Sequence, residues 1–476
     1  MDDSTSIGET ALSKPRPEQT GTAQRPITVL IVASAGAFLA NLGLFIVNIA
    51  LPNIRQGFGG TDIGAVSWVL NAYTLVFAAL LTPAGRLADR YGRRRLYLIG
   101  VMTFTVASAA CAAAVSIPLL IAFRAVQAVG AALMISTSLA LVFAAFPPAK
   151  RGTAAGSWAA INALAATTGP PVGGLLADAS WRWVFLINVP VGVVILLVGS
   201  RRLTESKTLA AGIPDVLGAV LLAFGVGALT WSFVDGPALG WTHGAVLTAF
   251  GVTILSLAWV TWRSTRHPAP VLDLQALRVP SFSLACAAML LFSAGFGAMI
   301  FGNVLFLTGI WHTSTGTAGL MSIPGALAVV ATSPIGGRLT QRLGPGMVIA
   351  AGGIVFTLGV GWWLWHLDSA ENFLGALLPG LLLTGVGIGL LMPSTNGVPG
   401  LVLSESRWGT GSSMINAARQ VGIGLGTAFT VTLYGGDATL AGFQRGWLFI
   451  AATSAATVMI GFAIMRHEKT SATESP

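Results

Sequence analysis

The sequence predicts an all-α membrane protein of 14 transmembrane helices in a 6 + 2 + 6 arrangement, and three observations carry that prediction. Only 9% of the 476 residues are Asp, Glu, Lys or Arg while 54% are apolar, against about 25% charged in a soluble domain. Uncharged apolar runs recur from residue 27 to residue 465, each near the ~20 residues that cross a hydrocarbon core as a helix. The charged residues cluster between those runs, and the basic ones fall strongly to one side of the membrane.

Taken in order, residues 1–26 are polar, lack an apolar segment followed by a cleavage site, and read as a disordered cytoplasmic tail. Spans at 27–50, 62–84, 96–115, 117–145, 152–178 and 183–199 form an N-terminal bundle over 27–200. Spans at 214–234 and 242–262 sit in a linker over 201–279 and have no central ionisable residue, as expected of a peripheral pair. Spans at 280–307, 316–337, 346–366, 373–403, 408–435 and 446–465 fill a C-terminal bundle over 280–465, leaving 466–476 as a second cytoplasmic tail. With the N-terminus inside, 21 of the 26 Lys and Arg are cytoplasmic; only Arg55, Arg182 and Arg445 fall outside, and Arg124 and Arg419 lie within spans. An extra or missing helix would invert every later loop, so the bias predicts both the count and a multi-pass protein of the cytoplasmic membrane with both termini inside. Trp181, Trp183, Trp241, Trp262, Trp311, Trp365 and Trp447 stand near span ends, where an amphipathic ring suits the interface. The net charge of +9 is thus a matter of topology and not of nucleic acid. Cys111 and Cys286 lie inside apolar runs, so neither a disulfide framework nor a metal cluster is available.

An internal echo supports two related halves. GRLADRYGR, Gly85 to Arg93, follows the second span, and GRLTQRLGP, Gly337 to Pro345, follows the tenth. Both begin where an even-numbered span returns to the cytoplasm, as a duplicated six-helix unit requires. In such a short connection Gly85 and Gly92 permit close backbone approach, while Asp89 offers a carboxylate to a helix N-terminus or an arginine. Gly85, Arg86, Asp89, Arg90, Gly92 and Arg93, with Arg338 and Arg342 from the second copy, are therefore candidates for a cytoplasmic gate. In the fifth span, Gly169, Pro170, Pro171, Gly173 and Gly174 remove side chains and interrupt the hydrogen-bond ladder, predicting a kinked, closely packed interface.

These motifs carry a resemblance. Gly85 to Arg94 resembles the cytoplasmic loop signature of the major facilitator superfamily, and Gly169 to Gly174 resembles the antiporter motif of its drug exporters. Ser180 to Gly192 and the N-I-A-L-P of Asn48 to Pro52 are similar to segments of the fourteen-span drug:proton antiporter branch. The resemblance implies the major facilitator fold and export of drug-like molecules by alternating access in exchange for protons, with no cofactor beyond the proton gradient. Arg124 and Gln127 resemble the R-x-x-Q motif of the family's fourth span, which implies a part in proton transfer or substrate contact; Ala128 replaces the family's Gly. Where the family's first span carries an Asp, this chain has Gly43.

An arginine near the bilayer centre costs about 2.5–3.5 kcal/mol on insertion scales, so Arg124 and Arg419 are expected to face a polar cavity or a partner. The expected cavity is floored by Asn41, Asn48, Arg124, Gln127, Asn416, Arg419 and Gln420. No Asp, Glu or His lies in the central part of any span. Two buried cations without a buried acid point to neutral or weakly acidic amphipathic substrates over dications. The same absence keeps an uncoupled facilitator or a lipid-type flippase as the alternative, because a proton carrier is ordinarily a buried carboxylate. Nucleotide-loop and H-E-x-x-H patterns are missing, so an enzyme is not expected. The expected partners are the bilayer and one small-molecule substrate, and a monomer is expected.

Overall fold

The computed structural model describes residues 26–60, 62–147, 150–205, 215–268, 270–404, 407–434 and 439–473; the tail expected over residues 1–25 lies outside them. In chain order the long helices are α1 (Pro26–Gly57), α2 (Ile63–Tyr91), α3 (Arg93–Ala112), α4 (Ile117–Ala145) and α5 (Arg151–Ala179). They continue with α6 (Trp183–Arg202), α7 (Val216–Leu239), α8 (Gly244–Ser264), α9 (Pro280–Gly309) and α10 (Thr315–Leu343). The last four are α11 (Pro345–His366), α12 (Phe373–Val402), α13 (Trp408–Tyr434) and α14 (Leu440–Thr473), the last running beyond the apolar span into the segment read as a tail. Twelve of these helices are long and apolar enough to cross a membrane. The other two, α5 and α13, have 29 and 27 residues, and they carry the Gly–Pro run and the Asn416, Arg419, Gln420 cluster. Length and apolarity alone therefore support twelve crossings, not the expected fourteen.

Local chemistry sets the helix ends. Asp62 caps α2 by accepting from Ala65 N at 3.2 Å, and Ser314 caps α10 by accepting from Thr317 N at 3.1 Å. Asp215 caps α7 through Gly218 N at 2.8 Å and also takes Arg263 Nε of α8 at 2.6 Å, so one buried carboxylate ties the α7–α8 hairpin. Between α2 and α3 a single residue makes the turn. Gly92 has φ +114°, and Gly344 holds the corresponding place between α10 and α11 with φ +82°. The Gly85–Tyr91 part of the motif read as a loop is the last two turns of α2, because its charged residues extend the helix past the apolar span.

The halves repeat each other. Helix α1 packs on α4, α5 and α6 as α9 packs on α12, α13 and α14, and α4 packs on α2 and α3 as α12 does on α10 and α11. A further repeat was not legible in the sequence: Glu205, just past α6, accepts from Arg94 N at 3.0 Å and Arg95 N at 3.1 Å, capping α3. Glu468, on α14, accepts from Gly346 N at 3.3 Å and caps α11. A Cβ on Gly92 would stand 2.6 Å from the Glu205 carboxylate in a backbone region closed to branched side chains. Gly92→Val is expected to cost about 1–3 kcal/mol, read as a lower Tm; Gly240→Val, where φ is +92° but nothing lies within 4 Å, should cost less.

The halves meet along two related seams, α2 with α13 and α5 with α10. The linker pair is not wholly peripheral: α7 lies against both α2 and α13, while α8 packs on α7. Thr432 of α13 donates to the Phe233 carbonyl of α7, and the Phe233 ring meets Phe429 edge-on at 5.3 Å. The tryptophans divide. Trp183, Trp241, Trp262 and Trp365 are exposed as an interfacial position requires, but Trp181, Trp311 and Trp447 are buried. Phe58 lies 5.3 Å from Trp181, and Phe306 packs on both Trp311 and Trp447, so these rings close helix ends against one another instead of facing lipid.

Candidate functional site between two six-helix halves

The two ends of the bundle differ in charge and closure. Arg86, Arg90, Arg93, Arg338 and Arg342 stand at one, the basic end, and the connections α1–α2 and α5–α6 mark the other, the far end. At the far end the Gly–Pro run of α5 is packed on both sides. A Cβ on Gly169 would lie 2.6 Å from Phe45, and one on Gly173 would lie 2.6 Å from Ile49, both on α1. A Cβ on Gly174 would lie 2.4 Å from the Thr315 carbonyl and 2.9 Å from Gly316 Cα, across the seam on α10. Pro170 and Pro171 meet the same helix, since a Cβ on Gly319 would stand 2.3 Å from the Pro170 carbonyl oxygen. Helix-to-helix contact this close exists only without side chains. Polar contacts add to it: Asp178 Oδ2 accepts from Ser314 Oγ at 3.1 Å and from Gly316 N at 3.0 Å, and Thr315 Oγ1 donates to Asn53 Oδ1 at 2.5 Å. Ser314, Gly319 and Asn53 were not singled out by sequence, because small polar residues near span ends are unremarkable until the partner helix is placed.

The gate motif at the basic end is looser. A Cβ on Gly337 would meet open space, and one on Gly85 only Ser136 Cβ at 3.7 Å. Arg90, Arg338 and Arg342 are exposed and Arg86 and Arg93 half-buried. Arg90 lies 5.7 Å from the Tyr91 ring, and the Asp89 side chain falls outside the described residues.

Of the expected cavity residues, the structure brings some together and separates others. Arg124 is fully buried inside the N-terminal half: Nε donates to the Val69 carbonyl at 3.0 Å and Nη1 to Gln127 Oε1 at 2.5 Å. Gln127 Nε2 donates on to Ser108 Oγ at 2.6 Å. The guanidinium carbon sits 4.1 Å from the Tyr73 ring centroid and 5.9 Å from that of Phe185, a cation held by ring faces without a carboxylate among the described residues. Among the described residues Arg124 Nη2 has no partner. Arg124 and Gln127 are buried together between α2, α3, α4 and α6, with these bonds and ring contacts all made inside the N-terminal half. Asn41 donates to Asn162 Oδ1 at 3.1 Å and to the Ala37 carbonyl at 3.0 Å, linking α1 to α5.

Asn48 does reach the seam. It borders a void of about 10 Å³ with Leu44, Phe45, Leu70, Gly297, Ile300, Ile423 and Thr427, drawn from α1, α2, α9 and α13. Asn416 donates to the Ser412 carbonyl at 3.0 Å on its own helix; among the described residues the half-buried Arg419 has Nε unpartnered, and Gln420, 2% exposed, has Oε1 unpartnered. The seam residue that sequence reasoning missed is Asn71 of α2, fully buried with both amide atoms unpartnered among the described residues. Its signal was there: an amide in the middle of the apolar run WVLNAYTLV. The seam void is bordered by the Asn48 amide, the Thr427 hydroxyl and otherwise apolar residues, and no group of three or more His, Cys, Asp or Glu that could hold a metal appears among the described residues.

The comparisons agree with this geometry. The model of the Major Facilitator Superfamily matches residues 33–298. Multidrug resistance protein Stp of Mycobacterium tuberculosis is 36% identical over 405 residues, 84% of this chain and 74% of that protein. Methylenomycin A resistance protein of Bacillus subtilis is 30% identical over 461 residues, 96% of this chain and 98% of that protein. The crystal structure of the human organic anion transporter MFSD10 superposes with a TM-score of 0.62 at 18% identity, covering 92% of this chain and 99% of that one, a likeness of fold. With a repeated six-helix unit, many apolar helices and these relatives, the chain is a multi-pass membrane transporter and not an enzyme, and it belongs to the Major Facilitator Superfamily.

Proposed function

We propose that the protein exports a small amphipathic organic molecule, of the drug or antibiotic-like kind, by alternating access in exchange for protons. The observation that carries this reading is the far-end seal of α5 on α10, built from glycine and proline and held by few polar contacts. A close but side-chain-free contact can open as a unit, which is what rocking of two related halves about a midplane site requires. The names of relatives that confer multidrug and methylenomycin A resistance support the substrate class. On this reading α5 and α13 also cross the bilayer, making fourteen spans, and the basic end with both termini faces the cytoplasm. The lower apolarity of α5 and α13 fits helices that face the pathway instead of lipid. On this reading Arg419 and the seam amides line the opened cavity and no acid does, so it prefers neutral or weakly acidic molecules.

An uncoupled facilitator or flippase remains the second reading, favoured by one observation. Gly43 faces Phe104, 3.3 Å from where its Cβ would be, so no carboxylate stands where the family places one in the first span. Efflux from a sensitised bacterium, with and without an uncoupler, separates the two: collapse of efflux on uncoupling supports exchange, and indifference supports the facilitator. In the same panel Arg419→Ala is expected to reduce export of anionic compounds at least tenfold; unchanged export of every compound would remove Arg419 from the site.

A further inference from the structure

We infer that Asn71, with Asn48 and Gln420, forms a hydrogen-bonding subsite in the α1–α2–α13 seam. It selects ligands that carry hydroxyl or N–H donors as well as a carbonyl over ligands without such a donor, quaternary cations included. The inference deepens the transport reading and rests on it.

Asn71 is 0% exposed, and among the described residues neither its amide oxygen nor its amide nitrogen has a partner; the buried Asn48 Oδ1 and Gln420 Oε1 likewise have none. Buried amides are almost always paired, so three orphaned ones along one seam ask for an occupant. The hydroxyls nearby are already engaged. Thr74 Oγ1 donates to the Asn71 carbonyl at 3.0 Å, and Thr427 Oγ1 to the Ile423 carbonyl at 2.9 Å, the local bonds that serine and threonine make readily in helices. An Asn or Gln side chain projects further and depends on what lies across the seam.

Opposite Asn71, helix α13 presents bare backbone. The point where a Cβ on Gly424 would stand is 3.1 Å from Thr74 Oγ1 and 4.0 Å from Asn71 Oδ1. Gln420 is one turn before Gly424 on the same face, and Ile423 and Thr427 continue that stripe into the void that Asn48 and Leu70 border. At about 10 Å³ the void is the size of one water, so a larger ligand enters only when the seam parts. The remaining lining is aliphatic or aromatic, and no carboxylate contributes to it. Whichever way each amide is turned it offers one accepting and one donating edge, which fits a ligand that carries both hydroxyl and carbonyl groups. A quaternary cation offers nothing to either edge.

The test uses full-length protein in nanodiscs and three probes: a dihydroxyanthraquinone with its hydroxyls remote from the quinone carbonyls, its dimethyl ether, and tetraphenylphosphonium. Binding is followed by quenching of tryptophan fluorescence, and thermal unfolding of the ligand-free protein is followed in parallel. The intact protein is expected to prefer the dihydroxy probe over both others by at least about tenfold. The near-isosteric variants Asn71→Leu and Gln420→Met are each expected to erase that preference while changing the affinity for the dimethyl ether less than about twofold. Because both variants remove an unpaired buried amide, Tm of the ligand-free protein should stay the same or rise. A lower Tm in both variants would show that the amides are paired within the fold, and would overturn the inference. So would an intact protein without preference, or variants that keep it. Proteoliposome transport is measured separately: selective binding without transport would retain the subsite and reject the export reading.

Discussion

Gly174→Leu is expected to abolish transport while leaving the protein folded and inserted. The new Cβ alone would stand 2.4 Å from the Thr315 carbonyl oxygen and 2.9 Å from Gly316 Cα, and these are backbone atoms with no rotamer to yield. The far-end seam can then close only by displacing α10, and overpacking of this kind costs about 1–3 kcal/mol or more. Added to one side of a two-state equilibrium, that shifts the populations by about five- to 150-fold toward the far-end-open form. In that form the α5–α10 seam is solvated and Leu is accommodated, so Tm should change little. Spin labels on the far-end halves of α5 and α10 should report a longer distance in the variant than in the intact protein. An unchanged distance with normal efflux would show that the seam does not move.

Arg124→Met should separate structure from function. The guanidinium is fully buried, held by the Val69 carbonyl, Gln127 and the face of Tyr73, with Nη2 unsatisfied and no carboxylate among the described residues. Replacing a poorly compensated buried charge by an apolar side chain of similar length is often neutral or stabilising. Both Arg124→Met and Arg124→Ala leave Gln127 Oε1 without its donor, which offsets the gain from removing the charge. Tm is therefore expected to change little in Arg124→Met, whereas Arg124→Ala, which also leaves a cavity, should lose about 3 kcal/mol or more. If the charge serves the cycle, efflux falls at least tenfold in both variants. Full efflux by Arg124→Met would make Arg124 a packing residue only.

Much of the fold could be read from residues alone. Apolar runs and basic clusters placed most helix ends to within about three residues, while α1, α2, α7, α10 and α14 run five to eight residues past the expected spans because polar residues extend them beyond the apolar run. The matched Gly85 and Gly337 motifs announced the duplication that the packing of α1 to α6 and α9 to α14 repeats. The Gly–Pro run of α5 was legible as a close contact, because five side chains that are small or ring-closed in six positions have little else to do. Its partners were not. Nothing in Ser314, Gly316 or Gly319 names α5, since contact across the seam joins residues about 140 positions apart.

Chain chemistry by itself determined that this protein lives in a membrane as a helical bundle with related halves, because hydrocarbon admits no unpaired backbone and sorts charge to the helix ends. Which polar groups meet was decided by packing alone. Arg124 and Arg419 look alike in the sequence, each a cation in an apolar run, yet one is enclosed by rings and amides within a half and the other is half-buried on α13 with Nε unpartnered among the described residues. Asn71 gained its position only when Gly424 brought α13 against α2. A helix rotates a residue by about 100° per position, so whether a polar side chain faces a partner, a seam or lipid depends on how neighbouring helices are set against it.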